Sequence, residues 1–445
     1  MATVFVDGSS KRSMRPAIFT CSIACRASGD ASSPKAWTIA SAAATPGCQF
    51  DRLPAGGERL GAWIDKGNWL AVENHRLTLQ SAETFMPAWR RPASNERPAA
   101  TGNLRPVDDY PAVDPLDGQP RNLGFLLDSR LAVDGLVVLR NGRLVAERYR
   151  NGLAADKPRL LLEASRPLLN LLGAISISQG KLAADKPVTR YLPALASSGG
   201  LRKISLQRLL DGDESLAWPP EELAAWRQAG GWAGSQAGSD MRAWLTQGGR
   251  WEKPQREPLG AMAAASPEDD LLAWVLADSN GMPLSRLFCE QLLVRAKPEH
   301  AVLWLSDAQG VELAGGLGLS LRDFARLGQQ LVDARSSRNR SKIPNWFIEA
   351  LVAPPALRGA EISGLGKGSE RRYGFVRLAG AAQRVALIGS HGTSLYVDFD
   401  KRLVVATFAS YPGAHSPAEL ALLEQVWKAI ERATFATRQG AKPSQ

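Results

Sequence analysis

Apolar and polar positions fall into segments with distinct periods along the chain. The densest apolar run is Leu168, Leu169, Leu171, Leu172, Ala174, Ile175 and Ile177, with no polar face wide enough for water, as in a buried helix. Pro167 stands just before it, where a first helical turn tolerates the missing N–H. Gly180 follows as a natural stop. The pattern predicts a central helix from about Glu163 or Ala164 to Gly180. Its N-terminus, with unpaired N–H groups and partial positive charge, falls on Glu163-Ala164-Ser165-Arg166.

Before this helix, Leu136–Tyr149 carries two β-prone runs around Asn141-Gly142. This pair suits the positive φ angles of a tight hairpin. After it, Ile204–Leu210, Asp269–Asp278, Pro283–Val294 and Ser320–Val332 read as helices. Ser320 and Asp323 supply a capping signal for the last of these. Strands are predicted at Tyr373–Leu378, Arg384–Ile388, Ser394–Phe399 and Leu403–Phe408. An amphipathic helix at Pro417–Ala433 closes the chain. Leu60–Trp89 has ordered apolar spacing, Arg90–Gln119 reads as a long irregular connection, and Trp218–Trp251 reads as an irregular, Trp-rich insertion. Strands at both ends around a helical block predict an α+β fold, with one antiparallel sheet built from both chain ends and flanked by helices.

Composition adds limits. The 445 residues are 44% hydrophobic with 13 Trp, enough for a large core. The net charge of +10 is dispersed rather than laid in a basic stripe, so nucleic-acid binding is not expected. No run of about 18 apolar residues is present, so no integral membrane segment is expected. Cys21, Cys25, Cys48 and Cys289, with four scattered His, form no metal spacing. Neither metal nor cofactor is expected. A disulfide among Cys21, Cys25 and Cys48 would need an oxidising compartment. Residues 1–60 read as a flexible extension and 436–445 as a disordered tail. The chain is expected in the cytoplasm, or in the periplasm if translation starts at Met14, where Ala17–Ala24 would be a short signal-peptide core.

Several stretches carry a resemblance in their order and spacing. They include Gly67-Asn68-Trp69-Leu70, Asn74-His75-Arg76, Gly180-Lys181-Leu182, Leu209-Leu210-Asp211, Leu271-Leu272-Ala273-Trp274-Val275, Ala314-Gly315-Gly316 and Arg322-Asp323-Phe324. Together they resemble the serine β-lactamase and penicillin-binding-protein superfamily, in the class C-like branch of 6-aminohexanoate-dimer hydrolases and related esterases. The resemblance covers about 61–435. It implies a sheet part at 120–160 and 370–435 and a helical part at 161–369.

The resemblance also implies three catalytic motifs, and each is altered here. The family's Ser-x-x-Lys falls on Glu163 and Arg166. Arg stays protonated, so it cannot shuttle a proton as a lysine of lowered pKa does, and an i,i+3 ion pair between Glu163 and Arg166 is expected instead. The Tyr-x-Asn motif falls on Ala264 and Ser266. The Lys-Thr-Gly-like motif falls on Ser390, His391 and Gly392, where His391 could supply a cation and Gly392 a close backbone approach. Ser165 is the fallback nucleophile, although two positions along a helix it points about 200° away from Glu163.

These changes lead to the expectation of a catalytically inactive relative, a pseudoenzyme whose cleft binds a small anionic or acyl-type ligand through Arg166 and His391. The alternatives are an active esterase or amidase with an atypical nucleophile such as Ser165, and an interaction protein using the insertion at 218–251.

Overall fold

The structure is a computed structural model that describes residues 45–435, except 95–99, 103, 105, 212–213, 217, 235–236, 248, 252–255, 259–264, 337–340, 355–361, 381 and 413–415. Met14, Cys21, Cys25, Ala264 and the tail at 436–445 lie outside the described residues.

The strands that matter for the site are β1 (Asp51–Leu53), β2 (Ala88–Arg91), β3 (Val133–Arg140), β4 (Arg143–Tyr149), β5 (Arg159–Leu160), β6 (Val302–Ser306), β7 (Glu312–Leu319), β8 (Glu370–Arg372), β9 (Phe375–Arg377), β10 (Arg384–Ile388), β11 (Ser394–Asp398) and β12 (Leu403–Ala409). The helices are α1 (Arg166–Ser178), α2 (Pro220–Ala229), α3 (Met241–Thr246), α4 (Pro267–Asn280), α5 (Leu321–Ser336) and α6 (Pro417–Phe435).

The large sheet runs β8-β9-β10-β11-β12-β3-β4, seven strands paired antiparallel. It joins both ends of the chain through the β12–β3 pair. Asn141 and Gly142 take φ of 50° and 73° and close the β3–β4 hairpin, with Arg140 opposite Arg143.

Side chains alternate across this sheet. Val137, Leu139 and Val404 join one core, with Phe324, Leu327 and Leu331 of α5. Leu136, Val138 and Val405 join the other, with Leu420, Leu423 and Trp427 of α6. Because both faces are covered, the strands read as continuous apolar runs rather than as alternating ones. On one side Phe324 stacks on Phe408 at 5.8 Å, and on the other Tyr396 stacks on Trp427 at 5.1 Å. Ser320 and Asp323 cap α5 reciprocally, with the Asp323 N–H donating to Ser320 Oγ at 3.2 Å and Ser320 Oγ to Asp323 Oδ2 at 2.9 Å.

Four sequence expectations are revised. First, the block at 161–369 contains two strands, β6 and β7, of a second, five-stranded sheet ordered β1-β2-β6-β7-β5. Gly315, Gly316 and Gly318 hid β7, since Gly has low strand propensity. At Gly316 a Cβ would meet the Leu305 backbone oxygen at 2.8 Å, so the cross-strand approach there needs glycine. Second, the chain from 45 to 60 is tied into this sheet, with Asp51 of β1 opposite Arg90 of β2. Third, the disulfide of Cys48 is to Cys289, across 241 residues, and not within the early group. Fourth, the Trp218–Trp251 insertion contains α2 and α3, and Trp226, Trp232, Trp244 and Trp251 are buried. These four tryptophans pack into the core rather than forming an irregular, exposed stretch.

Candidate functional site

α1 is buried from Pro167 to Ser176, as its unbroken apolar pattern requires. At Gly173 a Cβ would meet Leu210 at 2.6 Å, which fixes a close contact with the helix at Leu206–Asp211. The helix does not begin directly at Glu163. A 3-10 turn, Leu162–Ser165, precedes it, entered through Leu162 at φ 50°. That turn projects Glu163 into a cleft of about 590 Å³. The cleft is walled by the loop Lys66–Ala71, by Trp226, Arg227 and Trp232 of the insertion region, by Ala314 and Gly315 of β7, and by Asp269, His75 and His391.

The Ser390–Gly392 turn after β10 abuts the mouth of α1. A Cβ on Gly389 would meet Ala164 Cβ at 2.5 Å, so this approach requires glycine. His391 has φ 56°, and its Nδ1–H donates to the Tyr411 carbonyl at 3.0 Å. Gly392 is at φ +87°, and a Cβ there would strike the Tyr411 ring at 2.3 Å. The Gly392 carbonyl accepts from Thr407 Oγ1 at 3.0 Å. Ser390 does not line the cleft.

Arg166 lines the cleft, but its partner is not Glu163. Its Nη1 pairs with Asp269 Oδ1, Nη2 donates to the Leu209 carbonyl, and Nε donates to Asn170 Oδ1 at 3.2 Å. Burial lowers its pKa to about 10, so it remains a cation at neutral pH. Asp269 does double duty. Its Oδ2 accepts the Ser266 N–H at 3.1 Å, and Ser266 returns the bond in a capping box at the start of α4. Ser266 is therefore a helix cap, and the capping carboxylate is also the counter-ion of Arg166. The local i,i+3 pairing loses to a partner 103 residues away that is already held in place by its own helix terminus.

One oxygen of the Glu163 carboxylate is left over. This atom, Oε2, is screened from solvent and has no hydrogen-bond partner. Ser165 is only 1% exposed, its Oγ also lacks a partner, and it is not part of the cleft lining. The structure thus brings Glu163, Arg166 and His391 to one cleft and turns Ser165 away from it.

Two cleft residues carried no sequence signal as site residues. Lys66 is 7% exposed. Its Nζ donates to the Phe85 carbonyl at 2.9 Å and sits 5.3 Å from the Trp69 ring. Burial pulls its pKa down to about 7, against the opposing effect of Glu58. His75 meets His391 edge-on at 4.4 Å. Its Nε2–H donates to the Leu70 carbonyl at 2.9 Å, and Nδ1 has no partner. Burial, and then the neighbouring His391, lower the His75 pKa to about 4, so the ring is neutral at pH 7. Lysine and histidine are ordinary surface residues in a sequence, and only the fold shows these two to be enclosed.

Among the described residues, no group of three or more His, Cys, Asp or Glu side chains is placed to hold a metal ion, and no helix is long and apolar enough to cross a membrane.

No protein-family model matches the chain. The 6-aminohexanoate-dimer hydrolase of Paenarthrobacter ureafaciens is 25% identical over 305 residues, which cover 64% of this chain and 75% of that protein. A solved Bacillus anthracis structure, provisionally assigned as a 6-aminohexanoate-dimer hydrolase, is 20% identical with a TM-score of 0.72, covering 84% of this chain and 98% of that one. EstCE1, a hydrolase with promiscuous acyltransferase activity, is 18% identical with a TM-score of 0.51, covering 68% of this chain and 96% of its own. The chain therefore shares its fold with these two solved hydrolase structures and is a homologue of 6-aminohexanoate-dimer hydrolase.

Proposed function

We propose that this chain is a non-acylating member of that serine-hydrolase fold, whose cleft binds a small ligand without forming a covalent intermediate. One observation carries this reading: among the described residues lining the cleft, none bears a hydroxyl or a thiol. Acyl transfer by this fold needs such a nucleophile beside a group that can take its proton. The helix mouth instead presents Glu163, a poor acyl acceptor, and Arg166, a guanidinium locked to Asp269 that stays protonated. The buried Ser165 gives little support to an esterase built on that residue.

The test is active-site labelling. A fluorophosphonate probe incubated with the full chain is expected to leave its intact mass unchanged, and p-nitrophenyl acetate is expected to hydrolyse at the buffer rate. Stoichiometric labelling of any serine overturns the proposal. Loss of a measured ester turnover in Ser165→Ala would do so as well and would name the nucleophile.

A further inference from the structure

Among the described residues, Lys66 is the only lysine that the fold buries. Its place follows from the chain around it. The hairpin Arg59–Asp65 leads into the loop that walls the cleft. Asn68 ties that loop down: its Oδ1 accepts the Asp65 N–H at 2.9 Å, and its Nδ2 donates to the Trp63 carbonyl at 2.9 Å. Lys66, inside this tied loop, donates from Nζ to the Phe85 carbonyl at 2.9 Å, beside the Trp69 ring. Phe85 and Trp69 are themselves buried. A carbonyl dipole offsets the desolvation of an ammonium less than a carboxylate would, and Glu58 acts here by charge alone. Burial wins, and the pKa falls to about 7. Near neutral pH a large share of Lys66 therefore carries a free nitrogen lone pair. An amine in that state is a nucleophile, which an ammonium is not. The cleft of about 590 Å³ thus has no hydroxyl or thiol in its described lining, but it does have this amine, among the apolar walls Trp69, Leu70, Leu162, Trp226 and Trp232. That volume suits a small organic molecule.

We propose that Lys66 is a carbonyl-reactive amine, and that a small aldehyde on an aromatic body enters the cleft and is held on its Nζ as an imine. The step balances without a further reactant. Nζ adds to the aldehyde carbon and forms the C–N bond. The two hydrogens of the neutral amine then leave with the carbonyl oxygen as one water, and a C=N bond remains. Once protonated by solvent, the imine keeps one N–H for the Phe85 carbonyl, and its cation lies beside Trp69. The tryptophan walls take the aromatic body. The adduct is an end state of the cleft and not an intermediate on the way to a product. It therefore goes beyond the non-acylating reading and does not depend on it.

Reductive trapping tests this. The full chain is incubated at pH 7 with benzaldehyde and sodium cyanoborohydride, and peptide mapping locates the benzylated lysines. The α-amino group, also partly free at this pH, is mapped separately. Early in the reaction Lys66 is expected to carry at least about tenfold more label than any other lysine, because an ordinary lysine is almost wholly ammonium at pH 7. Its labelling rate should stop rising above about pH 8, while exposed lysines continue to gain toward their own pKa. Lys342 is the internal comparison. Burial lowers its pKa too, and its Nζ donates to the Glu290 carbonyl at 2.9 Å, but it is not part of the cleft lining. In Lys66→Met the fast lysine label is expected to vanish while the other sites are unchanged. A thermal melt checks that the variant folds, and the map of the unaltered chain stands without it. Even labelling of all lysines, labelling of Lys342 equal to that of Lys66, slower labelling of Lys66 than of exposed lysines, or a fast lysine label that survives in Lys66→Met each overturn the inference. Fluorophosphonate labelling of the same preparation reports separately on the non-acylating reading, so that reading can fail while imine formation holds, and the reverse.

Discussion

Where β11 meets β12 in the large sheet, the buried hydroxyls of Ser394 and Thr407 both find partners. Thr407 donates to the Gly392 carbonyl at 3.0 Å, and Ser394 meets Thr407 at 2.6 Å. At the mouth of α1, Glu163 Oε2, Ser165 Oγ and Asn170 Nδ2 are screened from solvent without a partner. That strand pair has its hydroxyl groups satisfied within the chain, although the same sheet also carries Arg140 Nε, Arg384 Nε and Asp398 Oδ2 without a partner. The helix mouth, which the scaffold holds open toward a cleft, leaves part of its bonding capacity unused.

The contrast can be broken from either side. Removing scaffold should have the largest effect. Phe408 is fully buried and stacked on Phe324, so Phe408→Ala should cost about 3–5 kcal/mol in urea-unfolding free energy. A loss below about 1 kcal/mol would mean that the α5 face of the sheet is looser than its packing implies. Next comes the one charge pair that the helix mouth does satisfy. Asp269→Ala strands the Arg166 guanidinium and removes half of a capping box, with an expected loss of roughly 3 kcal/mol. The double variant Arg166→Met/Asp269→Ala should recover part of that loss. No recovery would mean that the ion pair is not the reason the single change is harmful.

The smallest effect concerns the wall of the cleft. Asp270 accepts from Trp226 Nε1 at 2.8 Å and Asp307 from the Met241 N–H at 2.9 Å, so these two carboxyls hold the α2–α3 insertion against the body. Burial raises each pKa to about 6. The native state therefore holds protons that the unfolded chain has released between about pH 4 and 6. The contribution of these two groups to stability should fall as pH rises through that window, by on the order of 1–2 kcal/mol per group, against the opposite trend of His75, whose lowered pKa favours the native state as pH rises through the same range. Thermal melts from pH 4 to 7 read this out. The stability of Asp270→Asn relative to the unaltered chain should rise between about pH 4 and 6, and a difference that does not change with pH would contradict the assignment.

Much of the scaffold was legible because its signals are local. The strands at 384–388, 394–399 and 403–408 are short β-prone runs, and Asn141-Gly142 fixes the hairpin by its turn chemistry. The central helix declares itself by an apolar pattern with no wet face. What could not be read depends on distant partners. The Glu163–Arg166 pair is plausible on a helix surface, but Asp269 lies closer in space and is preset by its role as a cap. The glycines that let β7 approach β6 erase its strand signature. Whether the tryptophans of 218–251 face inward is a property of the docked insertion and not of its composition. Lys66 looks like any other lysine until Trp69 and the Phe85 carbonyl enclose it.

The bridge between Cys48 and Cys289 has a consequence for how the molecule comes apart. The span between them, 241 residues apart in sequence, is a covalently closed ring that contains the β3–β4 hairpin, α1, the tryptophan insertion and α4. A single protease cut anywhere on that ring opens it without releasing a piece. The nicked protein runs as one band until a thiol reductant is added, and only then do two fragments separate.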